Sequence, residues 1–415
     1  MVDQHAITHL SDGLIPGLNY AREGENTAHY IHSSKFVKFR PEAGDRYSPG
    51  AARVIRFRLV DDCWLNSLRM QVTLNNLTVN GAGQVQPIQP IGPALGMFTS
   101  ARLFLGGQVV EQIDELAPLA TIMDRLKPRL RRYNESIQTH PMDENEAVAV
   151  MPGGSSRRLL FDLPFGIFRQ HRFIPLHIVS QLVIELTLGD APQAFDGNNV
   201  NFSLSDVALL GTCLHVNSHV TDVYHKHLES GLNKLPLPFQ SITSSRHVVT
   251  NSEFSLSLSR SLHMLKQLYF VLVSNNEKPI AQHRQRVGAM DQLTIANDIM
   301  SFQVQIGSAR FPDTECVGVS ESFFRLMQAC GHEKDHDDIA INPMQFVGTS
   351  AVFGIDFEKA GNEASYTGIS TRDGKVMTLT VKNSQVTPAN PHTVFVYQVY
   401  DGVVNIQRGA VEVED

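Results

Sequence analysis

From residue 53 onward apolar and polar positions alternate. Val54, Phe57 and Leu59, then Leu68, Met70, Val72 and Leu74, follow the two-residue rhythm of an antiparallel strand with one face buried. More strands are predicted at 101–105, 108–113, 181–188 and 207–216, separated by Gly, Pro and Asn clusters, so the first half reads as a β-sandwich. The second half repeats the pattern at 254–258, 268–273, 301–306, 352–357, 376–381 and 394–400, with a last strand near 410–413. Two stretches carry helical spacing instead. Residues 114–126 place Leu116, Leu119, Ala120, Met123 and Leu126 on one face behind Asp114 as N-cap; residues 320–330 do the same with Phe323, Phe324, Met327 and Cys330 behind Ser320.

These helices expose a weak internal repeat. FTSARLFLGGQVVEQIDELAPLATIMDRL and MSFQVQIGSARFPDTECVGVSESFFRLMQACG both run strand, glycine turn, connection, helix, with Gly106 and Gly307 in equivalent turns. Downstream, QLVIELTL corresponds to KVMTLTV and VALLGTCLHV to HTVFVYQVYDGVVNI, so the order persists at an offset of roughly 180 to 200 residues. Pro236 and Pro238 disfavour helix and suggest an extended connection near 226–240. The expected organisation is an N-terminal arm over 1–35, a first sandwich over 36–230 and a second over 231–415.

Composition narrows the function classes. The 415 residues suit two domains, and no apolar run approaches the roughly 18 residues of a membrane-spanning helix. The first residues lack a basic and then apolar leader, so an intracellular site of synthesis is expected. A net charge of −7 argues against a surface built to grip nucleic acid. Basic clusters at Lys127, Arg129, Arg131 and Arg132, and at Arg157 and Arg158, read most simply as solvated loops. Cys63, Cys213, Cys316 and Cys330 lie far apart without a CxxC pair, so buried thiols are expected rather than a zinc knuckle or a disulfide framework.

The same segments carry a family resemblance. Leu103-Phe-Leu-Gly-Gly-Gln108 with Ile113 and the helix behind it resembles the "IGGQ…ID" signature in the first jelly roll of double jelly-roll major capsid proteins, the adenovirus, tectivirus and nucleocytoplasmic large DNA virus lineage. Arg158-Leu-Leu-Phe-Asp-Leu-Pro-Phe-Gly166, Arg172-Phe-Ile-Pro-Leu-His177, Ile306-Gly-Ser-Ala-Arg-Phe-Pro312 with Glu321-Ser-Phe-Phe-Arg325, Ala351-Val-Phe-Gly-Ile-Asp-Phe357 and Tyr400-Asp-Gly-Val-Val-Asn-Ile406 are similar to later elements of that family, in order, from about Arg53 to Val413. The first helix lacks the family's Trp, and Ala364-Ser-Tyr-Thr-Gly368 stands where the large viruses carry "PSGS", so the resemblance is to smaller members such as polinton-like or tectivirus-like viruses.

The resemblance implies an all-β chain of two consecutive eight-stranded jelly rolls with a few short helices. It implies no catalysis and no cofactor, and a homotrimeric, pseudo-hexameric capsomer in the shell of an icosahedral double-stranded DNA virus, assembled inside the host cell. The partners it implies are the other copies of the trimer, neighbouring capsomers, penton and minor capsid or cement proteins and, beneath the shell, an internal membrane; sequence-specific nucleic acid is not among them. The long connections at 127–157 and 332–344 are the candidate intersubunit loops, and the arm is a candidate tether to neighbours. No metal site is expected: His332, Glu333, Asp335, His336, Asp337 and Asp338 crowd one loop, with Asp335, Asp337 and Asp338 the first candidates, but a solvated acidic turn is the simpler reading because the spacing of an EF-hand is missing. His225, His227 and Glu229 superficially offer a cupin ligand set, with the Glu too close to the pair. The rival function is a carbohydrate- or receptor-binding spike or tail protein, which gains nothing from duplicating a whole sandwich.

Overall fold

The structure is a computed structural model that describes residues 31–50, 53–143, 147–170, 172–179, 181–196, 199–229, 234–275, 298–332, 339–341, 343–348, 351–358, 368–372, 375–407 and 410–414. Strands β1 (Ile31–Phe39), β2 (Val54–Leu59), β3 (Trp64–Asn76), β4 (Phe98–Leu105), β5 (Gln108–Ile113), β6 (Ser156–Asp162), β7 (Leu182–Leu188) and β8 (Phe202–Val216) form two antiparallel sheets, ordered β1-β8-β3-β6 and β2-β7-β4-β5. Strands β9 (Leu235–Val249), β10 (Phe254–Leu258), β11 (Met264–Ser274), β12 (Ser301–Ile306), β13 (Ala309–Val317), β14 (Phe353–Asp356), β15 (Met377–Lys382) and β16 (His392–Gln407) form two more, ordered β9-β16-β11-β14 and β10-β15-β12-β13. Adding eight to every strand of the first pair of sheets yields the second pair. Each half is therefore a jelly roll of the same connectivity, with its sheets packed over one core. A last strand, β17 (Ala410–Glu414), pairs with the end of β16.

The repeat seen in the sequence has a structural cause. The β4–β5 hairpin turns through Gly106 and Gly107 at φ 56° and 85°, and the β12–β13 hairpin through Gly307 at φ 61°, angles that a Cβ resists. Each hairpin leads into a helix, α1 (Leu116–Arg125) in the first half and its equivalent, Gly318–Ala329, in the second. Neither predicted N-cap acts as one. Glu115, in the left-handed region, caps α1, while Asp114 accepts from the Gln112 amide at 2.8 Å. The second helix begins at Gly318, before Ser320, because Glu321 accepts from the Val317 N–H at 3.0 Å and Asp298 from that of Val319.

Two further readings shift. In β2 the buried positions are Ile55, Phe57 and Leu59, and Val54 faces solvent. The arm ends earlier than residue 35, because Ile31–Phe39 pairs with β8 along its length; residues 1–30 lie outside the described residues. Pro236 and Pro238 belong to β9, not to a free connection. β9 is the edge of its sheet, where a missing N–H costs no ladder bond, and its Leu237 and Phe239 point into the core.

A polar seam joins the halves. Glu111, fully buried on β5, accepts hydrogen bonds from the Gly166 and Ile167 N–H groups at 3.0 Å each and from the Ser241 hydroxyl of β9 at 2.8 Å. Nearby, Ser244 donates to the Asp114 carbonyl at 2.8 Å and Tyr397 to that of Glu115 at 3.0 Å. Gly166 sits so close to β9 that a Cβ there would lie 1.6 Å from the Gln240 carbonyl oxygen. Three donors converge on one carboxyl group between the sandwiches, an arrangement that fixes their relative position because a buried polar group cannot be left partly satisfied without cost.

Candidate assembly surface

α1 is followed after Pro128 by α2 (Arg129–Ser136), so the connection 127–157 holds a helix where the sequence suggested a loop. Its basic residues are not a free patch. The Arg132 guanidinium meets Asp124 of α1 at 2.6 Å, with the two side chains only 6% and 14% exposed. Lys127 and Arg131 both reach Glu135 at 2.8 Å. Burial alone would raise the Glu135 carboxyl, but hydrogen bonds from Arg131 and Lys127 outweigh it and hold the group below its ordinary pKa.

These pairs turn α2 inside out. Its buried residues are Arg132 and Ser136, whereas Leu130, Tyr133 and Ile137, spaced to share one face, are 72%, 42% and 74% exposed. An apolar stripe on the outside of a helix whose polar side is anchored has no partner within the described residues. The second half supports this corner. The Ala340 N–H donates to the carbonyls of Arg125 at 3.1 Å and Lys127 at 2.9 Å, and Ile339 bridges to Pro128, so the two long connections singled out from the sequence meet each other. Ile339, Ala340 and Ile341 are buried in the contact.

No family model matches the sequence, and no curated protein does. Solved structures do match. The Faustovirus major capsid protein aligns with a TM-score of 0.67 over 96% of this chain and 94% of its own, at 8% identity. A chain of the Sputnik virophage cryo-EM structure gives 0.60 over 97% and 92% at 10% identity, and a chain of the PBCV-1 virus capsid gives 0.58 over 92% and 98% at 12%. The fold is that of a double jelly-roll capsid protein. At these identities the likeness is one of fold, and it spans both jelly rolls.

Within this capsid-protein fold the other residues singled out from the sequence fall as follows. Asp335, Asp337 and Asp338, with Glu333 and His336, lie outside the described residues. His225, His227 and Glu229 lie on helix α3 (Ser218–Glu229), where residues two apart project to different faces, so the histidine pair does not converge as a cupin site requires. Cys63 and Cys213, 150 positions apart, come together beside Asp61, a proximity that no spacing rule reveals. Glu111 was equally hidden, since a lone Glu in a strand reads as a solvent-facing residue.

The capsid-protein fold buries two groups that set its response to pH. His140, buried edge-on against Phe195 at 6.4 Å between ring centroids, is pushed down to about 3, first by burial and then by Arg157. Glu111 is pushed up to about 7 by burial, against the pull of the Ile167 and Gly166 N–H groups, Ser241 and Arg169. The two act in opposite senses. For His140 the unfolded chain binds the extra proton, so its contribution is present above pH 6.5 and lost as pH falls towards 3. For Glu111 the folded chain holds the proton, so its contribution is full below pH 4.5 and lost as pH rises through 7. Between pH 4.5 and 6.5 their slopes cancel, and below 4.5 the histidine removes about 2 kcal/mol by pH 3, alongside the carboxyls held below their ordinary values, Glu135, Asp206 and Glu315. Melting curves across this range are expected to show a plateau and then an acid fall, and His140→Phe is expected to flatten the fall; an unchanged acid limb in that variant would contradict the assignment.

Proposed function

We propose that this chain is the major capsid protein of an icosahedral double-stranded DNA virus, a structural subunit without catalysis that trimerises into pseudo-hexameric capsomers. Supporting this, two jelly rolls of identical connectivity in one chain give a trimer six similar sides, which lets a three-fold object tile a hexagonal lattice. The observation that carries the self-association is the outward stripe of Leu130, Tyr133 and Ile137 on a helix locked by buried charge. In this reading 31–230 and 231–415 act as the two sandwich units and residues 1–30 as a tether. The partners are neighbouring capsomers, penton and minor capsid or cement proteins, and the site of action is the virion.

A glycan-binding role finds little support. A polar cleft of about 330 Å³ lies along the seam near Asp114, Ser244, Ser257 and Arg260, but Trp, Tyr and Phe are absent from its lining, and sugar rings and other ligands are usually held by some apolar or aromatic wall. The deciding experiment is sedimentation and negative-stain microscopy of the purified full chain. Particles of three times the chain mass with a hexagonal outline are expected. A monomer at micromolar concentration, retained on a glycan column, would overturn the proposal in favour of the binding protein.

A further inference from the structure

We propose that Asp61, Cys63 and Cys213 form a binding site for one zinc ion, which ties the turn before β3 to strand β8 in the first jelly roll. The potential ligand atoms, one carboxylate oxygen and two sulfurs, lie within 4.8 Å of one another, a spread that Zn–S bonds of about 2.3 Å and Zn–O bonds of about 2.0–2.2 Å close with only side-chain adjustment. Two thiolates with a carboxylate select a borderline-soft dication over calcium or magnesium, which take oxygen alone.

The cluster is produced by an irregularity in the sheet. Along the β3–β8 ladder Gly211 faces Leu68 and Thr212 faces Ser67, but Cys213 faces Leu65, so Asn66 is an extra residue on β3. The bulge turns Leu65 onto the core side opposite Cys213, which continues the inward series of Leu209 and Gly211, and Cys63, two residues before Leu65, projects to that same side. With a regular ladder Asn66 would take the inward position opposite Cys213, and Leu65 and Cys63 would project to the outer side.

Cys63 is also fixed along its backbone. Its carbonyl accepts from the Leu176 N–H at 3.0 Å, and His177 also hydrogen-bonds its backbone. The turn ahead of it is held by the Asp62 N–H on the Asp61 carboxylate at 2.8 Å and by His215 on the Asp62 carbonyl at 3.1 Å. Both thiols are buried, while Asp61 is half-buried and gives an ion a route from solvent. Such preorganisation lowers the cost of bringing three ligands together.

Loading balances: two S–H bonds break, two Zn–S bonds form, and two protons leave to solvent, so the net charge of the site is the same before and after. Solvent or a fourth group completes the tetrahedron.

Cobalt(II) substitutes for zinc and reports thiolate ligation through an ultraviolet charge-transfer band. The reduced, chelator-treated full chain is expected to bind one Co²⁺ with that band, to release two protons per ion, to yield the ion to one equivalent of Zn²⁺, and to melt at a higher temperature with zinc. Cys63→Ser and Cys213→Ser are each expected to abolish the band, Asp61→Ala to weaken binding at least tenfold with the fold intact, and Cys316→Ser to change nothing. The proposal is overturned if the reduced chain gives no charge-transfer band, if the band survives both cysteine substitutions, or if Asp61→Ala binds as the parent does. It is also overturned if thiol titration of the native protein shows a Cys63–Cys213 disulfide and the reduced pair takes no metal.

Discussion

Gly166→Ala is expected to be the most damaging single substitution in the seam. The added carbon would sit 1.6 Å from the Gln240 carbonyl oxygen and 2.7 Å from its carbon, both backbone atoms of a paired strand that cannot swing aside. The sandwiches must then move apart. Any such movement also lengthens the Gly166 and Ile167 hydrogen bonds that hold the Glu111 carboxylate, and it draws Ser241 away from the same group. Overpacking costs roughly 1–3 kcal/mol, and leaving a buried group partly unsatisfied roughly 1–3 kcal/mol more, so a loss on the order of 2–5 kcal/mol is expected. Chemical denaturation should show a lower midpoint and, where the halves uncouple, a second transition. Gly50→Ala is the control, because its added carbon meets no atom within 4 Å. A Gly166→Ala chain as stable as that control would show that the seam does not hold the halves together.

The second large effect concerns assembly. Leu130→Asp with Ile137→Asp places two charges on the exposed stripe of α2, where each side chain is over 70% exposed and contributes little to the fold. Substitutions at such positions usually alter stability by less than about 0.5 kcal/mol, so the melting curve of the monomer should barely move. Association should collapse, because a charge in the middle of a desolvated contact costs several kcal/mol. Sedimentation is expected to shift from the trimer to the single chain, and particle formation to stop. Unaltered trimers would remove the stripe from the interface and direct attention to the other ends of the sandwiches. Arg132→Met tests the support instead: it leaves the stripe untouched but takes the guanidinium from Asp124, which among the described residues keeps only Lys127 at 3.8 Å, and is expected to loosen α2 and weaken association less completely.

Much of the framework was legible because antiparallel strands with one wet face write their burial into every second residue. Strands β2, β4, β5, β7, β10, β12 and β15 stand where the alternation put them, and the glycine turns at 106 and 307 match. β9 escaped notice because Pro236 and Pro238 argue against a central strand, and only the sheet order shows that it is an edge. The assembly stripe was present as Leu130, Tyr133 and Ile137 but was hidden by four basic residues and a proline. An amphipathic helix, moreover, is ordinarily read with its apolar face inward; the outward orientation follows from Asp124 on α1, which captures Arg132. The cysteine pair depends on one bulge, and a single inserted residue leaves no mark in composition or period.

The seam has one more consequence, for what the chain avoids. Residues 236, 238 and 240 share the outer side of β9, the open margin of the second jelly roll's sheet. Two of them are prolines with no N–H to offer, the Pro236 carbonyl is taken by Arg172, and the turn at Gly166 lies over Gln240. Along 236–240 a foreign strand finds no row of free backbone groups to copy, so growth into fibres by strand addition is hindered at this end of the margin. Association is left to side chains that can meet, separate and meet again, which would let misplaced subunits in the proposed shell be corrected.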